Sequence, residues 1–272
     1  IDGLLPRKSA LKRKSPGKKI DYQMIASNID GAFVMQSCDS NFNLRRLERY
    51  LVTIYDGNIE PMLLLSKTDL IDHGELENKI NALRGASINC PVIPFSNESR
   101  EGLTEIKRIL APRKTYCLLG SSGVGKTTLL NHLVGQDAFE TSLVREKDGK
   151  GRHTTTRRQL IVLENGAMMI DTPGMRELGT IGFTQGIDEG FADILELAQE
   201  CRFSDCSHTS EAGCAVLHSI RDGALSEARY QSYLKLQKES DYHELSYVEK
   251  RKKDKKFGQY VKTVKKQIRK KN

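Results

Sequence analysis

Eight consecutive residues, Gly120-Ser121-Ser122-Gly123-Val124-Gly125-Lys126-Thr127, have the types and spacing that a bound polyphosphate requires. Phosphate oxygens reach backbone N–H groups closely only where Cβ atoms are missing, which accounts for Gly120, Gly123 and Gly125. The helix expected from Lys126 onward turns its positive N-terminal end toward the anion. Lys126 supplies charge to the β and γ phosphates, Thr127 supplies a hydroxyl to Mg²⁺, and Ser121, Ser122, Val124 and Thr128 complete the candidate phosphate cradle. A plain glycine-rich turn is the bland alternative; the apolar run before the loop and the helical run after it disfavour it.

Asp171-Thr172-Pro173-Gly174 follows the apolar run Ala167–Ile170, 45 residues after Lys126. An aspartate at such a strand end can hold Mg²⁺ through water, and the Gly174 N–H can meet the γ-phosphate. Between the two motifs lies Arg152-His153-Thr154-Thr155-Thr156, in a polar stretch suited to a switch loop. One of its threonines is expected to close over Mg²⁺; Thr155 is the choice, with a threonine-rich strand entry as the other reading. Ser66-Lys67-Thr68-Asp69 ends another apolar run. A carboxylate at Asp69 can accept from guanine N1–H and N2–H₂ together, a pair that adenine lacks, while the Lys67 stem covers the base. Ser66 stands where asparagine is usual. Ser96 and Asn97, after the next apolar run, occupy the place of a last base-contacting loop, although helix capping by Ser99 or its polar neighbours also explains that stretch.

The order of these motifs is unusual, because the base-reading element precedes the phosphate loop by about fifty residues. That order defines a circularly permuted GTP-binding domain. Met175 after the DTPG element cannot orient a nucleophilic water, and Gly123 removes an asparagine able to recruit a monovalent cation. His153 is the candidate for positioning water, beside Lys126 and Thr155. Slow intrinsic hydrolysis is expected, with a partner raising it by up to ~10³–10⁵.

Cys201, Cys206, His208 and Cys214 bring three thiols and an imidazole within fourteen residues. Four such ligands suit a closed, tetrahedral, structural Zn²⁺ site. His218 and His243 fall outside the cluster. Cys38, Cys90 and Cys117 lie in apolar contexts and read as small buried residues.

The net charge of +8 is unevenly placed. Residues 1–19 carry +6 and residues 250–272 carry +11, which leaves −9 between them. Basic ends on an acidic middle point to a polyanion, and RNA phosphate is the expected contact for Arg7–Lys19 and Lys250–Lys271. No run of about 18 apolar residues and no secretory pattern occurs, so a cytoplasmic monomer without a membrane partner is expected. The first residue is Ile1, and a preceding segment is expected.

The elements that must position this chemistry alternate. Strands are predicted at Ile29–Gln36, Pro61–Leu65, Val92–Phe95 and Tyr116–Leu119, and helices at Asn43–Tyr55, Gly74–Leu83, Glu101–Leu110 and Lys126–Val134. Leu160–Glu164 and Ala167–Ile170, split by Asn165-Gly166, predict a hairpin. The sum is an α/β fold with a mostly parallel sheet and helices on both faces. A mainly helical region runs from about Ile187. The expected division is 1–19 as a basic linker, 20–178 as the nucleotide domain and 179–272 as the zinc-binding helical domain.

The motif order, Arg152–Thr156 (RHTTT) and Cys201–His208 (CRFSDCSH) together resemble the bacterial RsgA family, the YjeQ/YloQ-type GTPases that depend on the small ribosomal subunit. The likeness continues through Glu211–Val216 (EAGCAV) and Lys252–Phe257, so it covers nearly the whole chain. It implies a permuted GTPase that binds the 30S subunit and 16S rRNA and assists late maturation, with GTP or GDP controlling association. Its cofactors are GTP/GDP, Mg²⁺ and one structural Zn²⁺. The family begins with an OB-fold, of which Ile1–Arg13 resembles only the last strand and exit. Two other classes stay open: an RNA-binding scaffold that carries nucleotide without needing hydrolysis, and an ATP-using P-loop enzyme. The DTPG element leads within about thirty residues into the zinc segment, which suggests that the γ-phosphate moves the RNA-binding end.

Overall fold

The structure is a computed structural model, and it describes residues 3, 6–14, 22–135, 159–171, 184–244 and 249. Six strands form one sheet: β3 (Gly31–Ser37), β4 (Glu60–Ser66), β5 (Val92–Pro94), β6 (Thr115–Gly120), β7 (Gln159–Val162) and β8 (Met168–Asp171). Their order is β5-β4-β3-β6-β8-β7, parallel throughout except that β7 runs antiparallel to β8. β3 is buried along its whole length, as expected of a central parallel strand covered on both faces.

The period-two alternation of these strands sorts their side chains into two cores. Val34, Leu63, Leu65, Cys117 and Leu119 face α1 (Leu44–Asp56) and α2 (His73–Gly85), where Leu47, Leu51, Ile54 and Leu83 meet them. Phe33, Met35, Leu64 and Leu118 face α3 (Leu103–Ile109) and α4 (Lys126–Val134), through Ile106, Leu129 and Leu130. The helix starts follow local chemistry. Asn43 caps α1 by accepting from the Arg46 N–H at 3.0 Å, and Asp72 caps α2 from Glu75 at 2.8 Å.

Three details differ from expectation. The hairpin loop has three residues rather than two, because Leu163 N donates to Ala167 O at 2.8 Å and Gly166, at φ +80°, closes the turn. Glycine in a left-handed position is what a three-residue hairpin loop needs. Ser99 does not cap α3, whose cap is Gly102; Ser96 Oγ instead accepts from the Glu98 and Ser99 N–H groups at 3.0 and 3.1 Å. The N-terminal segment, where Ile1–Arg13 resembles a last OB-fold strand, holds β1 (Ala10–Lys14), and it pairs antiparallel with a strand that was not expected, β2 (Tyr22–Ser27). Leu11 of this ribbon is fully buried in the α1-side core, and Ala10 N donates to Gly57 O at 2.9 Å. The expected boundary at 19/20 lies between the two strands, outside the described residues.

Helices α5 (Thr184–Gly190), α6 (Ala192–Gln199), α7 (Ala215–Arg221) and α8 (Glu227–Glu244) make a third core of Ile187, Phe191, Ile194, Val216, Leu225, Tyr230, Tyr233 and Leu236. Val52 of α1 belongs to the same core, so α1 serves both the sheet and the helical module. Gly186 permits that closeness, since a Cβ there would stand 2.1 Å from Val52 O.

Candidate nucleotide site and metal centre

The motif-bearing loops converge because each follows the C-terminal end of a parallel strand, the edge where open α/β sheets build ligand sites. β6 runs into Gly120–Gly125 and then α4; β4 runs into Ser66–Asp69; β5 runs into Ser96 and Asn97. In the phosphate loop, Gly120 (φ +143°), Gly123 (φ +77°) and Gly125 (φ +95°) all lie where L-residues are strained. A Cβ on Gly120 would meet Met35 O at 2.4 Å, and one on Gly125 would meet Asn97 Nδ2 at 2.5 Å. The cradle therefore fits a phosphate by the absence of side chains on its wall. Lys126 Nζ donates to Gly120 O at 2.9 Å and Ser121 O at 2.7 Å, so its ammonium lies folded over the loop whose bound phosphates it would neutralise. Thr127 and Thr128 sit half-buried in the first turn of α4.

The candidate base loop is tied to this cradle. Ser66 is fully buried, and its Oγ donates to Val124 O at 2.8 Å, so the short hydroxyl reaches the phosphate loop directly. Lys67 adopts a left-handed backbone (φ +60°) that starts the 3-10 turn Thr68–Leu70. Asp69 is exposed, and its Oδ1 accepts from the buried Ser96 hydroxyl, which orients the carboxylate. Asn97 Nδ2 donates to Gly125 O at 3.2 Å, and its backbone oxygen lies 3.2 Å from His132 Nε2 on α4. Asn97 Oδ1 is buried without a partner among the described residues, an orphaned acceptor beside the loop.

The C-terminal end of β3 contributes residues that the motif reading missed. Asp39 Oδ2 accepts from Lys67 Nζ at 2.9 Å, and Asn41 Nδ2 donates to Ser121 Oγ at 3.1 Å. The available signal was positional: Ser37-Cys38-Asp39 ends an apolar strand of the same parallel set. Asp171 ends β8, its backbone in register with Leu118 of β6, two residues before Gly120. Thr172–Gly174, His153 and Thr155 lie outside the described residues, as does most of the basic C-terminus.

The four expected metal ligands are drawn together by the turn between α6 and α7. Their ligand atoms all lie within 4.8 Å of one another. Cys201 Sγ and Cys214 Sγ are each 3.5 Å from His208 Nδ1, and 3.9 Å from each other. A tetrahedral site with Zn–S bonds of about 2.3 Å has S–S edges of roughly 3.8 Å, so the donor set and its spacing fit zinc. Burial raises the Cys201 thiol, but the Ala215 and Val216 N–H groups at the start of α7 outweigh it and hold its pKa below the ordinary value. Burial pushes Cys206 up to about 11, with the neighbouring thiols adding to the shift. Glu211 organises the intervening loop: the Ser207 hydroxyl and the Ser210 and Ser207 N–H groups hold its carboxyl down to about 2. His218 pairs with Asp222 instead, outside the cluster.

A three-layer α/β sheet with a glycine-built phosphate loop and a base loop earlier in the chain defines a circularly permuted P-loop GTPase. The sequence model of the RsgA GTPase family matches residues 4–181, and the chain belongs to that family. A second model, described as 50S ribosome-binding GTPase, matches residues 115–256, beginning at β6. The small ribosomal subunit biogenesis GTPase RsgA 2 of Lactiplantibacillus plantarum is 45% identical over 246 residues, 90% of this chain and 68% of that protein. RsgA of Methanosarcina acetivorans is 42% identical over 243 residues, 89% of this chain and 65% of its own length. Among solved structures, YjeQ from Thermotoga maritima superposes with a TM-score of 0.63 at 26% identity, covering 88% of this chain and 77% of that one. YloQ, described as a circularly permuted GTPase, shares the fold with a TM-score of 0.60.

Proposed function

We propose that this GTPase acts in maturation of the small ribosomal subunit, binding 16S rRNA of the 30S particle with an affinity set by its nucleotide. The relatives carry that role in their names, and this chain spans about two thirds of their length. The observation that best supports nucleotide control is the double tie of Ser66 to Val124 O and Asn97 to Gly125 O, which makes base loop and phosphate loop one body.

In this reading Asp69 selects guanine, Lys67 packs along the base, and Thr68, Ser96 and Asn97 shape the base pocket. Lys126 releases Gly120 O and Ser121 O to meet the β and γ phosphates, aided by backbone N–H groups from Gly120 to Thr128. Thr127, Asp171 and Thr155 hold Mg²⁺, which neutralises charge on the phosphates. His153 positions water, and Gly174 meets the γ-phosphate. Cys201, Cys206, His208 and Cys214 hold one structural Zn²⁺. The protein works as a monomer in the cytoplasm; among the described residues no helix is long and apolar enough to cross a membrane.

Co-sedimentation with purified 30S subunits tests the reading. A non-hydrolysable GTP analogue is expected to hold the protein on the particle, and GDP to release it. Equal binding in both states, with Lys126→Ala behaving like wild type, would favour the scaffold reading instead.

A further inference from the structure

Asp39 stands at the end of the central strand β3, between the strand that leads into the phosphate loop and the strand that leads into the base loop. Its Oδ1 accepts from Ser37 Oγ at 2.7 Å and from Asn41 N at 2.9 Å, so its own turn fixes the carboxylate's orientation. Oδ2 takes the Lys67 ammonium at 2.9 Å. Burial raises the carboxyl, but Ser37, Lys67 and Asn41 outweigh it, which keeps the group ionised well into acid. The turn is itself pinned: Arg46 Nη2 donates to Asn41 O at 3.0 Å and to Asn41 Oδ1 at 2.9 Å, while Asn41 Nδ2 reaches Ser121 Oγ.

We infer that Asp39 is a positioning residue for guanine nucleotide, acting through Lys67. A lysine stem is among the most mobile side chains, and one that must lie along a base loses that freedom on binding. Held at both ends, by its left-handed Cα and by Asp39, the Lys67 stem follows one path before nucleotide arrives. The gain belongs to the base, so it is the same for GDP and GTP and leaves the hydrolytic step untouched. One pre-immobilised long side chain corresponds to roughly 3- to 10-fold in affinity. The inference rests on the reading of Lys67 and Asp69 as the base loop.

The test is a double-mutant cycle on the full chain, with GDP as the titrant and a GTP analogue as its companion. Asp39→Asn keeps the shape and removes the charge; Asp39→Ser serves the same comparison if the first variant folds poorly. The expected result is an equal loss of roughly 3- to 10-fold for both nucleotides, with single-turnover hydrolysis at saturating GTP unchanged. In a Lys67→Ala background the same change at Asp39 should add nothing. An unchanged GDP affinity overturns the inference, as does an equal further loss in the Lys67→Ala background, which would mark a purely structural turn. If Lys67→Ala alone binds GDP like wild type, the base-loop reading itself fails, and the inference with it.

Discussion

Asp69 and Cys206 show how differently single residues can be read. The exposed Asp69 carboxylate accepts from Ser96, and it is the group proposed to distinguish a guanine edge from an adenine edge. Asp69→Asn should cost GDP affinity by at least ~100-fold, because an amide places a donor against the guanine N–H pair, a mismatch of a few kcal/mol. Titration calorimetry with GDP and ADP checks it; an unchanged GDP affinity in the variant would make Asp69 incidental, and wild-type protein that binds ADP as tightly as GDP would return the ATP-using class. Cys206→Ser removes one of the four residues proposed to hold zinc. Zinc content by elemental analysis should fall from one per chain to a substoichiometric value, with faster amide exchange in Arg202–Val216. These residues were legible because their chemistry is carried by type and spacing within a few positions. Asp39 and Asn41 were not, because their meaning depends on Lys67 and Ser121, which come from other strands.

At the scale of elements, α1 is the piece that two halves of the molecule share. Arg229 of α8 is 3% exposed and donates to Glu48 of α1 at 3.1 Å, to Asp193 of α6 at 2.6 and 2.7 Å, and to Gly190 O at 2.9 Å. Its guanidinium also lies 4.5 Å from the centre of the Phe191 ring. Asp193 accepts from Ser87 beyond α2 as well, at 2.9 Å. Arg229→Met strands the buried Glu48 carboxylate and the half-buried Asp193 carboxylate and should destabilise the protein by about 3–5 kcal/mol, read by urea unfolding. Acid acts on the two carboxylates with opposite sign. Burial raises Asp193, yet Arg229 and Ser87 hold it below 3.8, so its stabilisation is complete above that value and is lost as pH falls through the lower folded pKa. Burial lifts Glu48 above 4.5 against the pull of Ser232 and Arg229, so its charge is a cost at neutral pH, relieved as pH falls through the raised value. Gly186→Ala should cost about 1–3 kcal/mol by forcing α5 off Val52. None of this docking was readable in sequence: Glu48, Asp193 and Arg229 look like ordinary helix-surface charges, 36 to 181 residues apart. The β1–β2 ribbon was half legible: the resemblance of Ile1–Arg13 to a last OB-fold strand pointed to β1, but nothing marked Tyr22–Ser27 as its partner or Leu11 as its buried residue.

At the scale of the molecule, the permuted order puts the phosphate loop in mid-chain and leaves the Cys-His module on the C-terminal side of β8. The sheet was legible because each apolar run is short, bounded by turn residues and followed by a motif. The connections between the nucleotide site and the Cys-His module were only half legible. The chain continuity after Asp171 is evident in sequence, whereas the contacts that run from the Asp39–Asn41 turn through Arg46 and Glu48 of α1 to Arg229 emerge only from the fold. Binding to rRNA should fall by about 10³ or more between 50 and 200 mM salt if the basic ends make ~6 phosphate contacts, measured by filter binding. We propose that this permuted site hydrolyses GTP under the control of the small ribosomal subunit, and the GTP hydrolysis rate of the full chain with and without purified 30S subunits measures it. Slow turnover alone is expected, with a rise of orders of magnitude on adding 30S, up to ~10³–10⁵, absent with ATP. The same rate with and without subunits, or equal turnover of ATP, would contradict it.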